Sequence, residues 1–192
     1  MRIDSSARSQ RVIVGAATAA AIILRFASGV CATPVAAEMP RVRSTSGLIA
    51  ALVEEATERS DTFRQLVDAI GATNGIVYVH EGRCRHGVRS CLDPSITSGG
   101  GFRILHVVVS TRRADTFEGR EDLMGSIGHE LHHATEVLAH PTLDTMAKIY
   151  FFYSSEGSTV QSSFETPGAI GAGERVRSEI ATSRKLRALL GD

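Results

Sequence analysis

Between Ile127 and Pro141 the chain reads IGHELHHATEVLAHP, a stretch that holds four of its seven histidines. His129 and His133 are four positions apart, which on a helix stacks them one turn apart on one face. Two imidazoles so placed can fill two corners of a tetrahedral site, at about 2.0–2.1 Å from zinc to each nitrogen. Glu130 lies about 100° further round the helix. From there it can hydrogen-bond a metal-bound water and act as a general base, without ligating the ion. The chemistry implied is metal-assisted hydrolysis. The bland alternative is a solvated polar face whose spacing is accidental.

Such a pair needs a helix to hold it. Leu123, Ile127, Leu131, Ala134 and Leu138 recur at steps of three and four and form one core-facing stripe. His129, His133, Glu136 and His140 form a second stripe, and Pro141 stops the helix. The spacing therefore predicts a helix over 121–139 with its histidines turned away from the core. His132 reads as a surface residue or a hydrogen-bond donor beside the site, and His140 as a cation at the helix C-terminus.

The flanking elements are legible from periodicity and punctuation. Arg41 to Ser46 reads as an entry segment, and Ser46 or Gly47 can cap a helix carrying Leu48, Ile49, Leu52, Val53 and Ala56. A second helix begins at Asp61, with Phe63, Leu66, Val67 and Ile70 on one face. Ile76-Val-Tyr-Val-His and Arg103 to Ser110 (RILHVVVS) read as strands. A cysteine loop and the glycine-rich SITSGGGF lie between them, and a polar turn from Thr111 to Gly119 leads to the histidine helix. Thr166 can cap a last helix with Pro167 at its first position and Ile170, Val176, Ile180 and Leu186 inward. Helices, strands, then helices again indicate an α+β domain.

His129-Glu-Leu-His-His133 on a helix after a strand resembles the zincin metallopeptidases, most closely the small minigluzincin type. The chain is also similar to uncharacterised exported bacterial proteins that combine H-E-L-x-H-A-x-E with a later F/Y-E-T, here Phe164-Glu165-Thr166. The likeness spans about Ile76 to Ile180. No metzincin extension follows His133. The resemblance implies a zincin-like domain, a third ligand that is a glutamate on a later helix, and an edge strand beside the active helix that pairs with an extended peptide. RILHVVVS is the candidate for that strand, with His106 on it structural.

Three glutamates compete for the third position, with Glu174 or no further protein ligand as the remaining alternatives. Glu136 shares the histidine face, but three ligands in a row on one helix do not surround a tetrahedral ion, so it fits better as a partner orienting an imidazole. Glu156 lies in a turn, SSEGST, and Glu174 lies within the last helix. Glu165 stands at the head of that helix, whose packing can fix it, and with Ala169 it resembles the E-x-x-A of the minigluzincin ligand helix, one residue longer. Tyr150 and Tyr153 lie between the two metal segments. A phenol there can stabilise an oxyanion or simply pack.

The 192 residues suit one domain, and 43% hydrophobic content is that of a globular chain. Residues 1–37 read as a secretory signal peptide: a basic start, an apolar run from Val12 to Leu24, then small residues. That run is shorter than the about 20 residues a spanning helix needs. Cleavage after Ala32 or Ala37 fits, Ala37 better, leaving 38–192 as the single domain. Cys31 follows Val30, where a lipidated cysteine would want a small residue, and an uncleaved anchor is the other alternative. Beyond the leader stand 17 basic and 20 acidic residues, which excludes a general affinity for nucleic acid. An exported protein, whether in periplasm, envelope or medium, can oxidise Cys84 and Cys91 to a disulfide. The function expected is an exported zinc peptidase with a peptide or protein substrate. The alternatives are a zinc-binding envelope protein without turnover, and a metal-dependent hydrolase of a non-protein amide.

Overall fold

Ser46 accepts a hydrogen bond from the Ile49 amide (3.4 Å) and opens α1 (Gly47–Arg59). Ser60 ends α1 and caps α2 (Asp61–Gly71), so the two helices meet at one buried serine. The computed structural model describes residues 39–155, 159–160 and 163–191. The segment read as a signal peptide, the expected cleavage point, Cys31 and Glu156 lie outside them.

The domain is α+β. Its four-stranded mixed sheet comprises β1 (Val42–Arg43), β2 (Gly75–Glu81), β3 (Ser90–Gly99) and β4 (Phe102–Val109), in the spatial order β1-β2-β4-β3. β1 and β4 run parallel to β2, and β3 runs antiparallel to β4. The entry segment thus contains a short strand. Val77, Val79, Leu105, Val107 and Val109 point to one face and join the core under the helices. On the other face Tyr78, His80 and His106 stack, with His80 Nε2 2.9 Å from His106 Nδ1.

Two expectations are corrected here. RILHVVVS is interior, paired on both sides, and the edge beside the histidine helix is β3, in the stretch read as cysteine loop and glycine turn. Pro94 disguises it: a proline cannot donate to a ladder, but an edge strand tolerates one where the pairing is irregular, and the register shifts between Asp93 and Thr97. The cysteines are disulfide-bonded at the head of β3, with Cα atoms 6.0 Å apart.

α3 (Phe117–Ala139) carries the histidines and starts four residues before the predicted limit, because Thr116 caps it by accepting from the Gly119 amide (3.0 Å). Its far end is held by Arg103 of β4, whose buried guanidinium donates to the carbonyls of Leu138 (2.6 Å), His140 (2.9 Å) and Val137 (3.3 Å). A cation at a helix C-terminus is favoured by the helix dipole. Arg103 fills that role in place of His140, whose ring packs on Phe152 instead.

α4 (Met146–Ser155) buries Ile149 and Tyr153, a two-residue pair of strands β5 (Thr159–Val160) and β6 (Ser163–Phe164) follows, and α5 (Pro167–Leu190) closes the domain. α5 buries Ala169, Ala172, Gly173, Val176 and Ile180, while Ile170 and Leu186 are exposed. The inward face of α5 is therefore built mostly from small residues, a departure from the predicted stripe. They let α5 lie directly on α3. A Cβ at Gly173 would stand 3.0 Å from the Gly125 carbonyl oxygen and 3.1 Å from His129 Cβ. One at Gly128 would stand 2.8 Å from a Val176 methyl. Glu179 anchors the middle of α5, accepting from Ser60 Oγ (2.6 Å), Thr62 Oγ1 (2.7 Å) and the Thr62 amide (3.0 Å).

Replacing Gly173 with Val should therefore cost about 1–3 kcal/mol of stability by overpacking, read as a lower urea midpoint at unchanged slope. An unaltered midpoint would mean that the two helices are not in close contact at this point.

Candidate metal centre

α3 is enclosed from two sides, by the sheet and by α5. His133 is 3% exposed and Glu130 4%, so the histidine face is not the solvated surface that its polarity suggested. Burying polar groups is costly unless each finds a partner, and the partners here are specific. His133 Nδ1 lies 2.8 Å from Glu136 Oε2. Its other nitrogen, Nε2, is buried and has no hydrogen-bond partner. The ring of His129 stands edge-on to it, with centroids 4.8 Å apart. His129 Nε2 lies 3.2 Å from Glu165 Oε2. One ligand atom each from His129, His133 and Glu165 falls within 4.8 Å of the others, a group that can hold a metal ion. An orphaned buried imidazole nitrogen facing a carboxylate and a second imidazole is the arrangement a cation satisfies.

The protonation states suit such a role. Burial, followed by the neighbouring His133 and His132, lowers the His129 pKa to about 4, keeping the imidazole neutral with its lone pair free. The backbone carbonyl of Ala169 accepts from the same ring. Burial acts to raise the Glu136 pKa, but hydrogen bonds from His132, His133 and Thr166 outweigh it and hold the carboxyl well below the usual range.

Glu136 is the hub of the site's supporting side. Besides His133 it takes the Thr166 hydroxyl on Oε1 (2.6 Å), while Tyr153 Oη lies 3.2 Å from Oε2 and His132 Nε2 3.4 Å from Oε1. Thr166 also caps α5, accepting from the Ala169 amide (3.1 Å). Because Glu165 immediately precedes that cap, the bond from Thr166 to Glu136 fixes where its backbone lies. Glu165 thus belongs to the lead-in and not to the helix itself.

Glu130 turns to the sheet. Its Oε1 accepts from Ser90 Oγ (2.7 Å), and the Leu92 amide donates to the same carboxylate. Burial raises its pKa, opposed by the nearby His133 and by the Ser90 hydrogen bond. A cleft of about 280 Å³ opens beside this carboxylate, with Ser90, His129, Glu165, Gly173, Glu174 and Arg177 in its wall. Glu174 is exposed there and is not part of the converging group.

No family model, curated protein or solved structure matches the chain.

The tyrosines divide. Tyr150 is exposed, and Tyr153 is buried with its hydroxyl 3.1 Å from the His133 carbonyl oxygen, on the Nδ1 side of the imidazole and away from the gap. There it bonds the supporting side of the site, the His133 carbonyl and Glu136. Ser90 was not singled out from sequence. A serine beside a cysteine carries no chemical signature, and only the pairing of β3 brings it to Glu130.

Bound metal should be lost in His129→Ala and in His133→Ala. Glu136→Ala should bind roughly 10- to 100-fold more weakly, since it frees the His133 ring, while Glu174→Ala should match the parent. Competition with a chelating dye measures all four. Parent-like affinity in Glu136→Ala would show that the carboxylate does not orient the imidazole.

Proposed function

We propose that the protein is an exported zinc-dependent peptidase of the zincin type, similar to the minigluzincins. The observation that carries this reading is the buried, unpartnered Nε2 of His133, which faces His129 and Glu165 with Glu130 alongside. A donor set of two imidazoles and one carboxylate, with open space in front of it, suits zinc in a catalytic setting. Bound there, zinc supplies Lewis acidity towards a carbonyl and a water.

The chain's own residues supply the rest. Glu130 takes the proton of the attacking water and passes it to the leaving amine. Burial favours this, because a carboxylate with a raised pKa is a stronger base. Glu136 keeps the His133 ring in the tautomer that leaves Nε2 free, and the Ala169 carbonyl does the same service for His129. β3 is the edge strand on this side of the sheet, and the outward main-chain groups that Glu130 does not take can pair with an extended peptide lying along the cleft.

Glu130→Gln should retain zinc and lose hydrolysis of every peptide in a library that the parent cleaves, since it removes the base and spares the ligands. Undiminished cleavage by this variant would reject the mechanism. A parent that binds zinc but cleaves no peptide would favour an interaction role or a non-protein amide substrate.

Export is part of the same proposal. Among the described residues no helix is long and apolar enough to cross a membrane, and the Cys84–Cys91 bond fits an oxidising compartment. Protein recovered from the cell envelope should begin near Glu38 by mass spectrometry. A full-length product confined to the cytosol would overturn this assignment.

A further inference from the structure

Strand β3 reaches the Glu130 carboxylate of α3 with the hydroxyl of Ser90. Ser110 N donates to the Arg89 carbonyl (2.8 Å), and Ser90 faces Val109. In an antiparallel ladder this makes Ser90–Val109 a non-hydrogen-bonded pair, Cys91–Val108 a hydrogen-bonded pair and Leu92–Val107 non-hydrogen-bonded again. The main-chain groups of Ser90 and Leu92 therefore point off the sheet, while those of Cys91 point into it. Glu130 collects what β3 offers on its outer side, the Ser90 hydroxyl at 2.7 Å and the Leu92 amide. Between these two donors sits Cys91, bonded to Cys84, whose Sγ lies 3.5 Å from the Val108 carbonyl oxygen.

We propose that Ser90 and Leu92 are positioning residues that aim the Glu130 carboxylate, and that the Cys84–Cys91 bond holds the strand segment that presents them. An edge strand has a ladder on one side only and is irregular beyond Asp93, so it needs a second restraint to keep two donors in place. The bridge supplies it, tying Cys91 to the preceding segment across the end of β4. A carboxylate with two fixed donors on its sheet side is directed towards the cleft, which is what a general base next to a metal site requires. None of these four residues belongs to the metal-ligating group, so their effect separates from metal binding. The inference rests on the peptidase reading for its kinetic consequence and on geometry alone for its structural one.

The test uses the full chain loaded with zinc and the library peptide it cleaves fastest. Ser90→Ala should lower kcat roughly 10- to 100-fold, the scale of a catalytic group slightly misplaced, with KM and zinc content unchanged. Ser90→Thr, which keeps the hydroxyl, should restore most of the loss. Cys84→Ser/Cys91→Ser should lower kcat in the same way. Hydrogen exchange supplies a readout without turnover: the Leu92 amide should exchange faster in Glu130→Ala and in the double serine variant than in the parent. Full kcat in Ser90→Ala, or a loss that threonine does not rescue, would overturn the role of the hydroxyl. Unchanged Leu92 exchange in Glu130→Ala would overturn the carboxylate contact. If the parent cleaves nothing, the peptidase reading fails while exchange still decides the positioning.

Discussion

The close approach of α3 and α5 is the constraint on which the rest of the site depends. Helix axes usually stand 8–10 Å apart, set by the side chains between them. Here Gly125, Gly128 and Gly173 remove those side chains at the contact, and the backbone of α5 comes against His129 itself. This brings the start of α5, with Thr166 and Glu165, to the middle of α3. It also buries the histidine face that would otherwise be solvated. Once buried, each polar group there must be partnered, and one hydrogen-bonded set answers that need: Thr166 to Glu136, and Glu136 to His133. The single nitrogen left over is the one that faces the gap.

Charge is arranged to match. Glu136, held ionised by its donors, lies on one side of His133, and Glu130, whose proton affinity is raised by burial, lies on the sheet side. Two glutamates on one helix thus differ in basicity through surroundings alone. The one surrounded by donors serves as an anchor. The one with fewer donors and deeper burial is suited to move a proton.

Much of this is legible in the sequence, and the exceptions have physical causes. The apolar stripe of α3 and the caps Ser46 and Thr166 follow from local rules, because periodicity and capping depend on near neighbours. Glu165 is legible for a similar reason, standing one residue before a recognisable cap. β3 is not, since Pro94 and a run of glycines mark a loop unless the edge position and register shift are known. The inward face of α5 is hidden because alanine and glycine carry no hydrophobic signal, and they are chosen here for closeness instead of burial. Ser90 and Arg103 act across the fold, on Glu130 and on the end of α3, and nothing in their own surroundings in the chain announces it.

Arg103 sets the direction in which the domain comes apart. Its guanidinium joins the first residues of an interior strand to the last carbonyls of α3, with Nε on Asn74 Oδ1 at the turn before β2. Helix ends ordinarily fray, because their terminal carbonyls can exchange one partner for water at little cost. This end cannot loosen without first stripping a buried cation of its acceptors, so α3 and the central strands must open as one cooperative unit. The histidines then keep their spacing for as long as the sheet persists, and the site should be among the last parts of the molecule to melt.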